Sequence, residues 1–312
     1  MDRGRTLASL TIALLALTGA AVSLSLSESR WVAPGRLVGA LTRQPVECLA
    51  VPADRSTAKQ IAIGRAAFRT PMLLGGQAAR AGLSCASCHR NGRDNRDFFL
   101  TGLSDAPGTA DVTSSLMSKL RGDALFNPKP IPDLAADAAT QKISRDATSG
   151  DLERFLTGQI IEEFDGHAPS PRVLAGLAAY VRAIRSDACP ANAIYEPITV
   201  SALLHDVEAA TDAARETDAA TARLMLSSAR WTLGRIDERY TTAELAAVRV
   251  KIRAADRGLA NIQKSLDGGD QTSLQQIDDW QRMFAVLRPA IEKASSRSLF
   301  NPARLSRGAL PH

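Results

Sequence analysis

The residues with the clearest chemistry are two cysteines and a histidine in the run Cys85-Ala86-Ser87-Cys88-His89. A C-x-x-C-H run is the attachment sequence of haem c. Two thiols three positions apart can each add to a vinyl group of one porphyrin, which forms two thioether bonds. The histidine after the second cysteine then lies under the ring, where its neutral imidazole binds iron as the proximal ligand. The motif therefore predicts one covalently bound haem c.

Two other interpretations of this motif are weaker. A zinc site would need a second ligand pair at suitable spacing, but the remaining cysteines, Cys48 and Cys189, stand alone in the sequence. A thioredoxin-like redox pair should follow a buried strand, whereas residues 75–82 before the motif are mainly glycine and alanine. Haem attachment remains the favoured prediction.

The elements that position such a site belong to a chain of 312 residues, of which 45% are hydrophobic and 4% are aromatic. These values are typical of a globular protein, and the shortage of aromatic residues together with many alanines favours an all-α fold. The formal net charge is +5, but it is spread along the chain and no segment is strongly basic. A nucleic-acid partner is therefore not expected.

The N-terminus has the pattern of an export segment. Arg3 and Arg5 precede an uncharged run whose centre, at residues 10–17, is apolar. Small residues near Ala21 permit cleavage, while a length of about 20 residues is also sufficient for a retained membrane anchor. Both alternatives for residues 1–27 place the body in the periplasm, either soluble or tethered to the inner membrane. Haem c attachment in bacteria is completed in that compartment.

The region after the export segment, residues 28–57, contains several prolines among polar residues and is predicted to be a linker. Cys48 lies in this region, and Cys189 lies far downstream. In an oxidising compartment the two are candidate disulfide partners, and a bond between them would tie together the two ends of the haem segment. Two unpaired, buried thiols are the alternative.

Two amphipathic helices are predicted on either side of the haem motif. The first has Gly64 one turn before Phe68, so a second helix can approach closely at the glycine. The second has an apolar stripe that includes Leu177 and Tyr180, after a Ser-Pro start signal. Such a crossed pair encloses the haem in cytochromes c. Residues 58–190 are therefore predicted to form a cytochrome c-like haem domain with long loops.

Three runs of sequence support a family resemblance. GRAAFRTP at residues 64–71 and LSCASCH at residues 83–89 resemble runs of the bacterial di-haem cytochrome c peroxidase superfamily, and PGTADVTSS at residues 107–115 is more loosely similar to a segment beneath its haem. The resemblance covers about residues 58–186 and implies a c-type haem fold. That family has two haem motifs and this chain has one, so electron supply between two haems of one chain is absent.

Function depends on the ligand that faces His89 across the iron. Methionine in that position makes an electron carrier, whereas an open position admits peroxide or another small molecule. Met117, downstream of the motif, is the predicted sixth ligand. His167 is a second candidate, and the absence of any side-chain ligand is a third alternative. For Met72, close to the first helix, a role in the core is expected.

The C-terminal third has a different sequence pattern, with long stretches of helical apolar periodicity and no haem-type loops. One pattern covers residues 241–268, a second covers residues 277–291, and an earlier one covers residues 201–237 with a break near Thr217. Such narrow apolar seams predict helices that pack at shallow angles. Residues 198–298 are therefore predicted to form an antiparallel helical bundle or hairpin.

No group of residues in this C-terminal part looks catalytic. Trp231, Tyr240 and Trp280 are candidate contacts for a partner protein, although core packing is the usual role of tryptophan. We expect the helical part to dock the protein to a partner. Removal of residues 200–312 is then expected to leave haem binding intact.

Three functions follow from these predictions. The first is a periplasmic mono-haem c-type cytochrome that exchanges electrons with redox partner proteins and has no substrate of its own, and thus is not an enzyme. The second is a peroxidase-related enzyme that reduces peroxide with electrons from an external donor. There, Glu162 or Glu163 would move protons, although each is expected to be a solvated charge. The third is a haem-bearing docking or sensor protein.

Overall fold

The computed structural model describes residues 26–50, 52–113, 116–192, 194–270 and 272–309. This part of the chain is mainly helical and contains a few short antiparallel strands, in agreement with the predicted predominance of helix. The helices are α1 (Leu37–Thr42), α2 (Arg55–Phe68), α3 (Gly76–Ala81), α4 (Cys85–Cys88), α5 (Asp151–Gly158), α6 (Pro171–Ala183), α7 (Val200–Arg215), α8 (Ala219–Asp237), α9 (Ala246–Asp267), α10 (Ser273–Ala294) and α11 (Pro302–Ala309). The strands are β1 (Arg43–Pro45), β2 (His89–Arg90), β3 (Arg93–Asp94), β4 (Thr109–Ala110), β5 (Lys129–Pro130) and β6 (Tyr195–Pro197).

Side-chain caps begin the two helices that flank the haem motif. At the start of α2, Asp54 accepts a hydrogen bond from the backbone N of Thr57 at 2.8 Å. At the start of α6, Ser170 accepts one from the backbone N of Val173 at 3.3 Å. Each cap satisfies a donor that the first helical turn leaves unpaired. The positions of α2 and α6 confirm both predicted helices.

Helices α2 and α6 cross in backbone contact at two glycines. A Cβ atom placed on Gly64 would lie 1.9 Å from the carbonyl oxygen of Gly176. One turn later the ring of Phe68 meets that of Tyr180 edge-on, with centroids 5.2 Å apart. The close approach predicted from Gly64 is confirmed. Its partner Gly176 lies in the middle of an amphipathic helix, where the sequence carries no signal of this contact.

The described part of residues 28–57 is folded, and the prediction of a linker there is wrong. This region contains α1 and β1, and the latter pairs with β6 in antiparallel register. Trp31, Leu41 and Cys48 are buried. The composition misleads because the prolines and polar residues are numerous, whereas the burial depends on a few well-separated apolar side chains.

A disulfide bond joins Cys48 to Cys189, across a sequence separation of 141 residues. The backbone supports the same junction, because the N–H of Arg185 donates to the carbonyl of Cys48 at 2.9 Å. The bridge therefore closes a loop that contains α2, the haem motif and α6.

The chain between the haem motif and α6 consists of loops, the β4–β5 pair and α5. Helix α5 continues into a π-helical turn, Gln159–Glu163. Leu152 and Ile160 are buried, whereas Phe155 is 42% exposed. A π turn adds a residue to the helical repeat, so side chains on either side of it do not keep one stripe.

The C-terminal helices lie where the apolar patterns predict them. Helix α7 ends at Arg215 and α8 begins at Ala219, so the break near Thr217 is confirmed. Helix α7 packs against α8 and α10, and α9 packs against the same two helices. The four helices thus contact one another in a closed circuit.

Two of the three aromatic residues considered as partner contacts belong to the core of this part. Tyr240 is buried and donates its hydroxyl to the carbonyl of Ile291 at 2.7 Å. Trp280 is buried, donates to the carbonyl of Ala255 at 2.9 Å and stacks on Phe284. Both satisfy their polar atom inside the protein, which is usual for buried tyrosine and tryptophan.

One continuous hydrophobic cluster covers both predicted domains. It includes Phe68 and Leu177 from the α2–α6 crossing, together with Leu204 of α7 and Leu233 of α8. The boundary predicted between residues 190 and 198 therefore separates two parts that share a core.

The predicted export segment lies almost entirely outside the described residues. Within those residues, no helix has the length and apolar composition that crossing a bilayer requires.

Candidate functional site

The two cysteines predicted to attach haem lie on one short helical turn, α4. It is capped reciprocally, because the side chains of Ser84 and Ser87 each accept from the other's backbone N–H. Cys85 and Cys88 are three positions apart on this turn and therefore lie on the same side of it. Neither cysteine forms a disulfide. Gly82 before the turn has a φ of 75°, and a Cβ atom placed on it would lie 2.8 Å from the ring of Trp231. Trp231 is the third aromatic residue considered as a partner contact, and it is half-buried.

Burial raises the pKa of both Cys85 and Cys88 to about 12. A catalytic redox cysteine has the opposite property, a lowered pKa that populates the thiolate. The environment of the two thiols thus argues against the thioredoxin-like alternative.

The imidazole of His89 has a fixed orientation. Its Nδ1 lies 3.0 Å from the carbonyl oxygen of Pro132, to which it donates when the proton is on that nitrogen. The second nitrogen, Nε2, is then the one that carries a lone pair for a metal. Burial lowers the pKa of His89 to about 4, although Pro132 and the nearby Asp133 and Asp94 act in the other direction. The ring is therefore neutral at pH 7, as metal ligation requires.

The strand that contains His89 turns back at once as a hairpin. β2 pairs with β3, so that His89 lies opposite Asp94 and Arg90 lies opposite Arg93. The two residues of the turn, Asn91 and Gly92, both have positive φ, at 52° and 72°. Two such residues in succession are the mark of a type I′ turn, which matches the twist of paired strands.

The candidate distal residues lie on segments that meet at one turn, residues 162–166. Met117 is buried, and its neighbour Ser118 donates to the carbonyl of Glu162 at 2.6 Å. The backbone N of Lys119 donates to the Asp165 carboxylate at 3.1 Å. Met117 is therefore held on this turn by its sequence neighbours.

The other candidates differ from Met117 in exposure. His167 follows the same turn and is exposed. Met72 is 65% exposed, so the core role expected for it is wrong. Its segment nevertheless reaches the same turn, because the N–H of Gly75 donates to the carbonyl of Phe164 at 3.0 Å.

The two glutamates at the turn have different environments. Glu162 pairs with Arg121 at the surface, as expected for a solvated charge. Glu163 is only 4% exposed, and within the described part of the chain its Oε2 has no hydrogen-bond partner. Burial raises the pKa of Glu163, against the effect of Arg121 3.5 Å from Oε1. The expectation of a solvated charge is wrong for Glu163.

A buried ion cluster follows directly after the haem motif. Arg90 donates to Glu28 at 3.2 Å and to the carbonyl of Ala40 at 2.6 Å. Glu28 also accepts from Arg235 at 2.8 Å and from Arg239 at 3.4 Å. Burial alone would raise the pKa of Glu28, but the three guanidinium groups lower it to about 2. The carboxylate is therefore ionised and joins the haem segment to α8.

A second cluster joins α2 to α7. Arg65 of α2 and Arg69, the residue after α2, both pair with Glu47 and with Asp206 of α7. Tyr180 adds its hydroxyl to Glu47 at 2.6 Å. Neither cluster was predictable from local sequence. Each includes pairs between residues more than a hundred positions apart, such as Arg65–Asp206 and Arg235–Glu28, and charged residues carry no periodic signal. The arginines nearest the motif therefore have protein partners.

The donor set fits haem c. Two unbonded thiols share one side of α4, and the Nε2 atom of His89 is left for a metal by the Pro132 contact. Four large apolar side chains on the segments before and after the motif are more than half exposed, which suits a site for an apolar group; these are Met72, Leu120, Leu125 and Phe126. Among the described residues, no group of three or more His, Cys, Asp or Glu residues could hold a metal ion. Haem c needs no such group, because thioether bonds carry the attachment.

Comparison of the chain with protein-family models, with curated proteins and with solved structures finds no match.

Proposed function

We propose that this protein is a mono-haem c-type cytochrome that carries electrons in the periplasm, with haem c bound through Cys85 and Cys88 and with His89 as proximal ligand. The observation that carries the proposal is the contact between His89 Nδ1 and the carbonyl of Pro132. A metal-binding histidine donates its other ring N–H to a carbonyl or carboxylate, which fixes the ring and its tautomer. A redox-active thiol pair would have no need of a histidine oriented in this way.

The haem supplies one-electron exchange when it is bound. The protein's own residues would hold it: Cys85 and Cys88 would attach the porphyrin, and His89 would offer its Nε2 lone pair to the iron. The ring of Phe68 lies beside the imidazole of His89, with the two ring centroids 6.4 Å apart.

The proposal includes the fold of each part. Residues 58–190 would be a cytochrome c-like haem domain, an assignment supported by the crossing of α2 and α6 and by the resemblance of the haem motif to the di-haem peroxidase superfamily. Residues 198–298 would be an antiparallel helical bundle packed on that domain. The two buried ion clusters support this packing.

Met117 is the proposed sixth ligand. Its burial and the attachment of Ser118 and Lys119 to the turn at residues 162–166 support a fixed position for its thioether. An axial methionine raises the reduction potential and suits an electron carrier.

Glu163 favours a second candidate function, a peroxidase-related enzyme. A buried carboxyl with a raised pKa and an unpartnered oxygen is able to exchange protons with a peroxide. It lies one residue from Glu162, whose carbonyl anchors the Met117 segment. This function would require an open iron position in place of Met117.

The proposal is tested by covalent haem content after expression with the haem c attachment machinery. Cys85→Ser together with Cys88→Ser should abolish haem that stays with the denatured chain. Cys48→Ser with Cys189→Ser is the matched control, because it removes two cysteines from the same protein and should keep the haem. Wild-type protein that carries no covalent haem would refute the proposed function.

Visible spectra then separate the two candidate functions. The carrier should show low-spin ferric iron with a methionine-to-iron band that is lost in Met117→Ala. The enzyme should show high-spin iron that reacts with peroxide, and Glu163→Gln should slow that reaction. Met283→Ala is the control, since this methionine lies in α10, is 44% exposed and is not a candidate ligand, so its replacement should change neither spectrum.

A further inference from the structure

The carbonyl that contacts His89 belongs to Pro132, and the next residue, Asp133, forms a two-point salt bridge with Arg93. Asp133, next to Pro132, accepts from Arg93 Nε at 2.8 and 2.9 Å and lies 2.7 Å from another guanidinium nitrogen of the same arginine. Such a two-point pair fixes direction as well as distance. The side chains are 22% and 24% exposed, so water screens the pair only in part.

Arg93 and His89 belong to the same hairpin. Strand β3 places Arg93 opposite Arg90, directly after the histidine. The other side of the hairpin turn is also fixed to the segment of Asp133, because Leu134 N donates to the carbonyl of Gly92 at 3.0 Å. The contacts thus form a closed circuit: the hairpin links His89 to Arg93, the salt bridge links Arg93 to Asp133, and the carbonyl of the adjacent Pro132 contacts His89 again.

Neighbouring groups hold both members of the pair. Arg93 lies 3.1 Å from the sulfur of Cys48 and 3.7 Å from that of Cys189, so its guanidinium packs on the disulfide. Asp133 also accepts from Ala135 N at 2.8 Å. These contacts leave the pair little freedom to move relative to the hairpin.

We propose that Arg93 and Asp133 are positioning residues that hold the Pro132 carbonyl on Nδ1 of His89. The proposal rests on the proposed function, in which His89 binds the haem iron. A well-directed hydrogen bond at Nδ1 makes the imidazole a stronger donor to the metal. It therefore stabilises ferric iron and lowers the reduction potential.

Arg93→Lys is the decisive variant, because lysine keeps the positive charge and loses the planar two-point contact. If the pair positions the carbonyl, the midpoint potential rises and the Nδ1 proton of His89 exchanges faster with water in NMR spectra. Asp133→Asn provides a second variant with the same expected directions. An effect of charge alone would leave Arg93→Lys at the wild-type potential, and that result would overturn the proposal.

The matched control is Arg96→Lys. Arg96 follows the same hairpin and pairs with Asp94 at 2.8 Å, but its side chain is 74% exposed, and among the described residues it forms no hydrogen bond or ion pair with Pro132 or Asp133. Its replacement should change neither potential nor proton exchange. Equal shifts in Arg96→Lys and Arg93→Lys would contradict a positioning role.

Failure of the inference is distinguishable from failure of the proposed function. Covalent haem in the wild type is measured first, and its absence refutes the haem assignment. Proton exchange at His89 still reports on Arg93 in a protein without haem. Unchanged exchange in both variants refutes the positioning role whether or not haem is attached.

Discussion

Glu28 shows how one residue outside the haem motif can support it. The carboxylate accepts from three arginines, one of which, Arg90, follows His89 in the chain. A buried carboxylate that loses its charge would leave guanidinium groups without a counter-ion, which is costly in a medium that solvates ions poorly. The removal of this single charge should therefore destabilise the fold.

We predict that Glu28→Gln makes the protein less stable at pH 7 by an amount on the order of 3 kcal/mol. The pKa of Glu28 is lowered from 4.5 to about 2 on folding, so its contribution is complete above pH 4.5. It is lost as the pH falls toward 2. Urea unfolding at a series of pH values measures this. Wild type should lose stability between pH 4.5 and 2 more steeply than Glu28→Gln.

Glu162→Gln is the control for this prediction. Glu162 also pairs with an arginine, but its side chain is 44% exposed, and exposed pairs contribute less than about 1 kcal/mol. Equal losses of stability in the two variants would show that Glu28 has no special role.

At the scale of elements, the helices were predictable and their contacts were predictable only in part. Apolar periodicity and caps locate α2, α6 and the C-terminal helices because those signals are local. Gly64 indicates a close approach, since a glycine inside an amphipathic helix needs a packing reason. The π turn and the fold of residues 28–57 escaped prediction, because they depend on contacts with distant residues.

The α2–α6 crossing makes a prediction about Gly64. Gly64→Ala should destabilise the protein by about 2 kcal/mol or more, since a new Cβ would overlap the Gly176 carbonyl and force the helices apart. Gly234→Ala in α8 is the matched control, because a Cβ there meets nothing within 4 Å. It should stabilise the protein by about 0.5–1 kcal/mol through helix propensity alone. Thermal unfolding measures the change in stability of both variants, and similar changes would contradict the close contact between α2 and α6.

At the scale of the whole molecule, we expect the C-terminal helices and the candidate haem region to unfold as one cooperative unit. They share a hydrophobic cluster and are joined by Glu28 and Asp206, which pair with arginines of the other part. The expectation that removal of residues 200–312 leaves haem binding intact conflicts with these contacts. The sequence could not reveal the shared core, because the change of sequence pattern near residue 198 marks a change in the type of secondary structure and not the end of a hydrophobic core.

A substitution at Asp206 tests whether the two parts unfold together. Asp206→Asn removes one of two carboxylates that face Arg65 and Arg69, and we expect a loss of about 3 kcal/mol because a buried guanidinium then lacks its counter-ion. Unfolding is followed by visible absorbance, which reports on the candidate haem region, and by far-ultraviolet circular dichroism, which reports on all helices. Both signals should show one midpoint, and the variant should shift both midpoints by the same amount.

The control is Glu216→Gln. The exposed Lys59–Glu216 pair also joins α2 to the C-terminal part, and its loss should cost under about 1 kcal/mol. Separate midpoints for the two signals would show that the two parts unfold independently. Equal losses of stability in Asp206→Asn and Glu216→Gln would show that the buried cluster does not couple the two parts.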